Sequence, residues 1–86
     1  MELKELREEI NAIDAQIEDL FQKRMDVSAK IADYKKANGL PTRDPQREAE
    51  VLDKHAKSVR PELSIYVYEL FEKLMQLSRA YQNSIR

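Results

Sequence analysis

The chain has 86 residues, of which 42% are hydrophobic and 36% charged, with a formal net charge of −1 and no cysteine. That is room for one small domain, residues 1–86, with one modest core. It excludes a disulfide framework, a thiol nucleophile and a thiolate metal site, and it offers no global basic field for nucleic acid.

The first predicted element covers residues 3–37, which contain neither Gly nor Pro. Apolar residues recur there at three- and four-residue spacing: Leu3, Leu6, Ile10, Ile13, Ile17, Leu20, then Arg24, then Val27, Ile31 and Tyr34. A heptad seam held this long predicts one long helix. Asn38-Gly39 ends it, with Gly39 suited to a left-handed cap. After the loop LPTR, Asp44-Pro45 reads as the N-cap and first position of a second helix reaching about Val59. Its narrow stripe is Val51, Leu52, Ala56 and Val59, and Arg60-Pro61 breaks it. A third helix is expected from Pro61 or Glu62, with the stripe Leu63, Val67, Leu70, Leu74, Leu77 and Tyr81, widened by Phe71 and Met75. No segment reads as a strand, so the fold class is all-α.

A 35-residue helix is about 50 Å long, whereas a compact domain of this size has a radius of gyration of about 12 Å. The first helix therefore overhangs any fold the chain makes alone. Its seam is apolar throughout, and the simplest cover is a second copy, giving an intertwined homodimer. A plain antiparallel coiled coil with a scaffolding role is the bland alternative. No apolar run approaches the ~18 residues of a membrane span. The opening MELKELREEI is charged from its second residue, which is unlike a signal peptide, and the lack of cysteine agrees with a cytoplasmic setting.

Several charges do not belong in a plain bundle. Arg24 occupies a seam position, and a buried unpaired charge costs several kcal/mol even after relaxation. Val27 restores the pattern three positions on, so the seam does not end there. Lys35 follows Arg24 by eleven residues, three turns along nearly the same face, with the Ser28 hydroxyl between them. A cation, a hydroxyl and a second cation thus line one wall. The alternative is that Arg24 pairs with an internal Glu or snorkels outward. Arg7 lies beside the seam about 25 Å from Arg24 along the helix, so one small ligand touches both only if Arg7 comes from an antiparallel partner; alone, Arg7 reads as a solvated charge.

In TRDPQRE, residues 42–48, Arg47, Glu48 and the backbone at Asp44 form either a capped helix start with local ion pairs or a polar ligand wall. Ser78 and Gln82, one turn apart, are either half-exposed or hydrogen-bonding groups in a pocket. His55 has no second His or Cys at metal spacing and reads as structural. Cations and neutral donors without an evident nucleophile suit a small polyanion, and chemistry driven by orientation and electrostatics.

Taken in order, Arg7, Asp14, Arg24, Lys35, the run Arg43-Asp44-x-x-Arg47-Glu48 and Ser78-x-x-x-Gln82 resemble the all-helical chorismate mutase family. LREEINAIDAQIEDLFQKR looks like that family's opening helix, and the resemblance covers residues 6–82. It implies a three-helix protomer, an interlocked dimer with two shared active sites, and the cofactor-free rearrangement of chorismate to prephenate. It also implies site roles. Arg24 with Lys35, and Arg7 of the partner subunit, would take the two substrate carboxylates. Lys35 and Gln82 would donate to the ether oxygen. Glu48 and the Asp44 backbone would hold the ring hydroxyl, Ser78 would assist a carboxylate, Arg47 would support the electrostatics, and Asp14 would be structural. An isochorismate pyruvate lyase on the same scaffold, and a non-catalytic helical dimerisation module, are the rival readings. No nucleic acid or membrane partner is implied.

Overall fold

The computed structural model describes residues 2–86 and is helical, with no strand among the described residues. Helix α1 is Leu3–Ala37, α2 is Pro45–Lys57 and α3 is Ser64–Ile85, with a short 3-10 turn, Pro61–Leu63, before α3. Helix α1 ends in a Schellman motif: Leu40 N–H donates to the Lys35 carbonyl at 2.8 Å and Gly39 N–H to the Lys36 carbonyl at 3.4 Å. Gly39 has φ +65°, the conformation that a side chain disfavours. The Asp44 carboxylate caps α2 by accepting the Arg47 N–H at 3.1 Å, and Pro45 takes the first helical position.

Two boundaries differ from the sequence expectation. Helix α2 stops at Lys57 rather than near Val59, because the Ser58 hydroxyl takes the Lys54 carbonyl at 2.6 Å and closes the last turn. The α-helical part of α3 begins at Ser64 rather than at Pro61 or Glu62. Arg60 is extended (ψ 141°), as a residue before proline prefers, and Pro61 opens a 3-10 turn instead. Ser64 Oγ then donates to the Ala56 carbonyl at 2.8 Å, tying the two helices at this corner. His55 stacks face to face on Phe71 at 4.0 Å between ring centroids, which is the structural role its isolation suggested.

Helix α3 is the central element, with α1 and α2 both packed on it. The molecule measures 54 × 26 × 15 Å, with a radius of gyration of 15.9 Å. Its long dimension is that of α1. The expected overhang is present: Leu3, Leu6, Ile10, Ile13, Ile17 and Leu20 are 41% to 62% exposed. Two members of the α3 stripe, Leu70 and Tyr81, also face outward, because α1 and α2 cover the flank carrying Met75 and Ser78 instead. The accessible surface is 6881 Å², about 1,600 Å² more than the roughly 5,300 Å² usual for a folded monomer of this mass. No helix among the described residues is long and apolar enough to cross a membrane.

Candidate active site

The three helices enclose one cleft of about 480 Å³, a volume typical of small-molecule sites. One wall is the α1 face carrying Arg24, Ser28, Ile31 and Lys35, the set that the eleven-residue spacing predicted. The opposite side comes from the start of α2, through Asp44, Arg47, Glu48 and Val51. Helix α3 supplies the floor with Met75, Ser78, Arg79 and Gln82. Seven of the eight expected site residues therefore meet in one cavity. The eighth, Arg7, is exposed on the overhanging part of α1 and is not among the residues lining this cleft.

The local chemistry follows from the elements. Arg24 and Lys35 are half-buried on a helix whose cap bonds fix the last turn. The Lys35 ammonium donates to the Thr42 carbonyl at 2.7 Å, leaving two of its three protons for a ligand. Ser78 and Gln82 are buried at 8% and 6% exposure, which decides for hydrogen-bonding groups over half-exposed ones. Gln82 Nε2 donates to Ser78 Oγ at 3.1 Å, and Ser78 Oγ lies 2.8 Å from Ser28 Oγ.

Glu48 does not form a local ion pair within α2. Its carboxylate accepts from the Arg79 guanidinium on α3, with both side chains largely shielded. Arg79 was missed in the sequence because it reads as an ordinary surface charge beside Ser78; its partner is 31 positions away. Thr42 likewise reads in the sequence as plain loop. Its hydroxyl donates to Asn83 Oδ1 at 2.8 Å and accepts from Arg86 Nη1 at 2.7 Å.

The cleft is lined by Lys23, Arg24, Lys35, Arg47 and Arg79 against Asp44 and Glu48, an excess of three positive charges in a chain whose net charge is −1. Low-dielectric walls of Val27, Ile31, Val51 and Met75 concentrate that potential. Such a lining offers fixed donors and net positive charge, which suit an anion and charge that develops on it.

The three helices thus form an all-helical scaffold around a cationic, donor-rich cleft. The family model for chorismate mutase type II matches residues 6–83, and the chain belongs to that family. It is 31% identical over 87 residues to the T-protein of Enterobacter agglomerans, which covers 95% of this chain and 22% of the relative. It is 38% identical over 56 residues to the 4-amino-4-deoxychorismate mutase of Streptomyces venezuelae, covering 65% of this chain and 54% of the relative. The chain thus spans between about a fifth and about half of the length of these curated relatives. Among solved structures, a conserved hypothetical protein from Pyrococcus furiosus superposes with a TM-score of 0.77 at 39% identity, covering 93% of each chain.

Proposed function

We propose that this chain is a chorismate mutase, which rearranges chorismate to prephenate as a cofactor-free homodimer with two shared active sites. The observation that carries the reading is that Arg24 and Lys35 line one cleft together with the buried Ser78–Gln82 pair. Chorismate is a dianion, and its rearrangement needs no nucleophile. One C–O bond breaks while one C–C bond forms, and negative charge grows on the ether oxygen. The cations bind the carboxylates and hold the reactive conformer. Lys35 and Gln82 stabilise the ether oxygen, and each preset donor of this kind contributes about 3–4 kcal/mol. Glu48 and the Asp44 backbone take the ring hydroxyl, Ser78 assists a carboxylate, and Arg47 adds to the field.

The dimer is supported by the exposed α1 seam and by the excess surface. About 1,600 Å² per protomer, covered on both copies, lies within the range of obligate interfaces. Antiparallel pairing of the α1 overhangs would bring Arg7 of one protomer toward Arg24 and Lys35 of the other. Residues 1–86 act as one domain, and a cytoplasmic enzyme of aromatic amino acid synthesis is the corresponding cellular role.

The test is incubation of purified protein with chorismate, following the loss of its ultraviolet absorbance and identifying the product. Prephenate formed well above the uncatalysed rate is the expected result. A folded protein that ignores chorismate and cleaves isochorismate to pyruvate, or acts on neither, would contradict the reading.

A further inference from the structure

Two acids line the cleft, Asp44 and Glu48, and both are already engaged. The Asp44 carboxylate caps its own helix by accepting the Arg47 N–H at 3.1 Å, where the helix N-terminus supplies positive potential. The Glu48 carboxylate accepts from the Arg79 guanidinium through Oε1. The Glu48 side chain is 19% exposed and that of Arg79 30%, so the two charges meet partly out of water, where salt screens them less. Glu48 Oε2 takes no hydrogen bond among the described residues and is left for a ligand.

The charges on the cleft then balance in a particular way. Arg79 is matched by Glu48, and Lys23 by Asp19 at 3.0 Å. Arg24, Lys35 and Arg47 remain against Asp44 alone, a surplus of two positive charges. The two carboxylates of a dianion offset that surplus. A neutral hydroxyl donates one hydrogen bond to Glu48 Oε2 and leaves the balance undisturbed. An ammonium at the same place is one positive charge too many, held beside the Arg79 guanidinium. Arg79 and Glu48 also line a smaller cavity of about 290 Å³, where Arg43 and Glu72 offset each other. That side adds no net charge.

We propose that Arg79 determines specificity: by neutralising Glu48 it makes the cleft accept a hydroxyl, and refuse an ammonium, on the ring of the ligand. This rests on the reading of Glu48 as the acceptor for the ring hydroxyl of chorismate. Without Arg79, Glu48 is a partly buried carboxylate with no counter-charge, which favours a cation beside it. Discrimination then comes from repulsion of the wrong ligand as much as from attraction of the right one.

The test measures kcat/KM of wild type, Arg79→Gln and Arg79→Lys on two substrates at neutral pH. One is chorismate, and the other is its analogue with an amino group, protonated at that pH, in place of the ring hydroxyl. Wild type is expected to favour chorismate by about tenfold or more. Arg79→Gln removes the charge, so its preference is expected to fall by roughly tenfold, the amine gaining relative to chorismate. Arg79→Lys keeps the charge and retains most of the preference. Looser packing alone slows both substrates together, so an unchanged ratio in a folded Arg79→Gln protein would overturn the proposal. A wild type that uses the amine as well as chorismate, or better, would overturn it with no variant needed. A wild type that turns over neither compound ends the functional reading and this proposal with it. An active wild type with an unmoved Arg79→Gln ratio ends this proposal alone.

Discussion

Lys35 Nζ donates a 2.7 Å hydrogen bond to the carbonyl oxygen of Thr42, so the ammonium that faces the cleft also ties the last turn of α1 to the loop leading into α2. Replacing it removes both functions. Lys35→Met is expected to lose about 3–4 kcal/mol of transition-state stabilisation, read as a fall of two to three orders of magnitude in kcat/KM. Amide exchange of residues 40–43 should also accelerate. Full activity in a folded Lys35→Met protein would remove Lys35 from the site.

The same loop is held from the other side by Thr42, whose hydroxyl joins Asn83 and Arg86, while Arg86 Nη2 donates to the Leu40 carbonyl at 2.7 Å. Thr42→Val keeps the shape and removes both side-chain bonds. Exposed hydrogen bonds are individually worth about 1 kcal/mol, so a small drop in melting temperature is expected together with a raised KM, as the loop carrying Asp44 loosens. Calorimetry and steady-state kinetics on the one variant check both parts.

Glu48 and Arg79 are coupled across α2 and α3. Removing Arg79 strands a carboxylate whose side chain is only 19% exposed, which costs about 1–3 kcal/mol for a group left without its partner. The losses of Arg79→Ala and Glu48→Ala measured singly should therefore sum to more than the loss of the double variant Glu48→Ala/Arg79→Ala. A double-mutant cycle by denaturant unfolding measures the difference, and a coupling below about 0.5 kcal/mol would mean the pair is ornamental.

On the proposed reading, the α1 overhang is buried against a second copy. Ile13→Glu places a charge in the middle of the exposed seam, where Ile13 is 53% exposed in the isolated chain. The variant is expected to sediment as a monomer, to lose helicity, and to show no turnover, whereas wild type sediments as a dimer with a concentration-dependent melting temperature. A monomeric, active wild type would show that the seam has another purpose.

Most of the fold was legible because α1 has no helix breaker, a sustained heptad and a Gly39 stop, and because Asp44-Pro45 states a helix start. The ends near Val59 and Pro61 were less so. There the outcome turned on one Ser58 hydroxyl bond and on the extended backbone before Pro61. Arg24 points to the cleft by breaking an apolar pattern, and Lys35 by following it three turns on at nearly the same helical phase. Arg79, Thr42 and the Ser28–Ser78 contact did not, because their partners lie 31, 41 and 50 positions away and nothing local distinguishes them from surface polarity. A residue's periodic misfit is visible in a sequence; a polar pairing made by packing is not.

The central claim is that the cleft of one protomer is completed by Arg7 of the partner subunit. Mixing unfolded Arg7→Ala and Arg24→Ala chains in equal amounts and refolding them together tests it most directly. Each variant alone should be nearly inactive. Half of the refolded dimers would be mixed, each with one site that has both arginines, so about a quarter of the wild-type rate is expected to return. No recovery from two variants that each fold and dimerise would contradict a shared site.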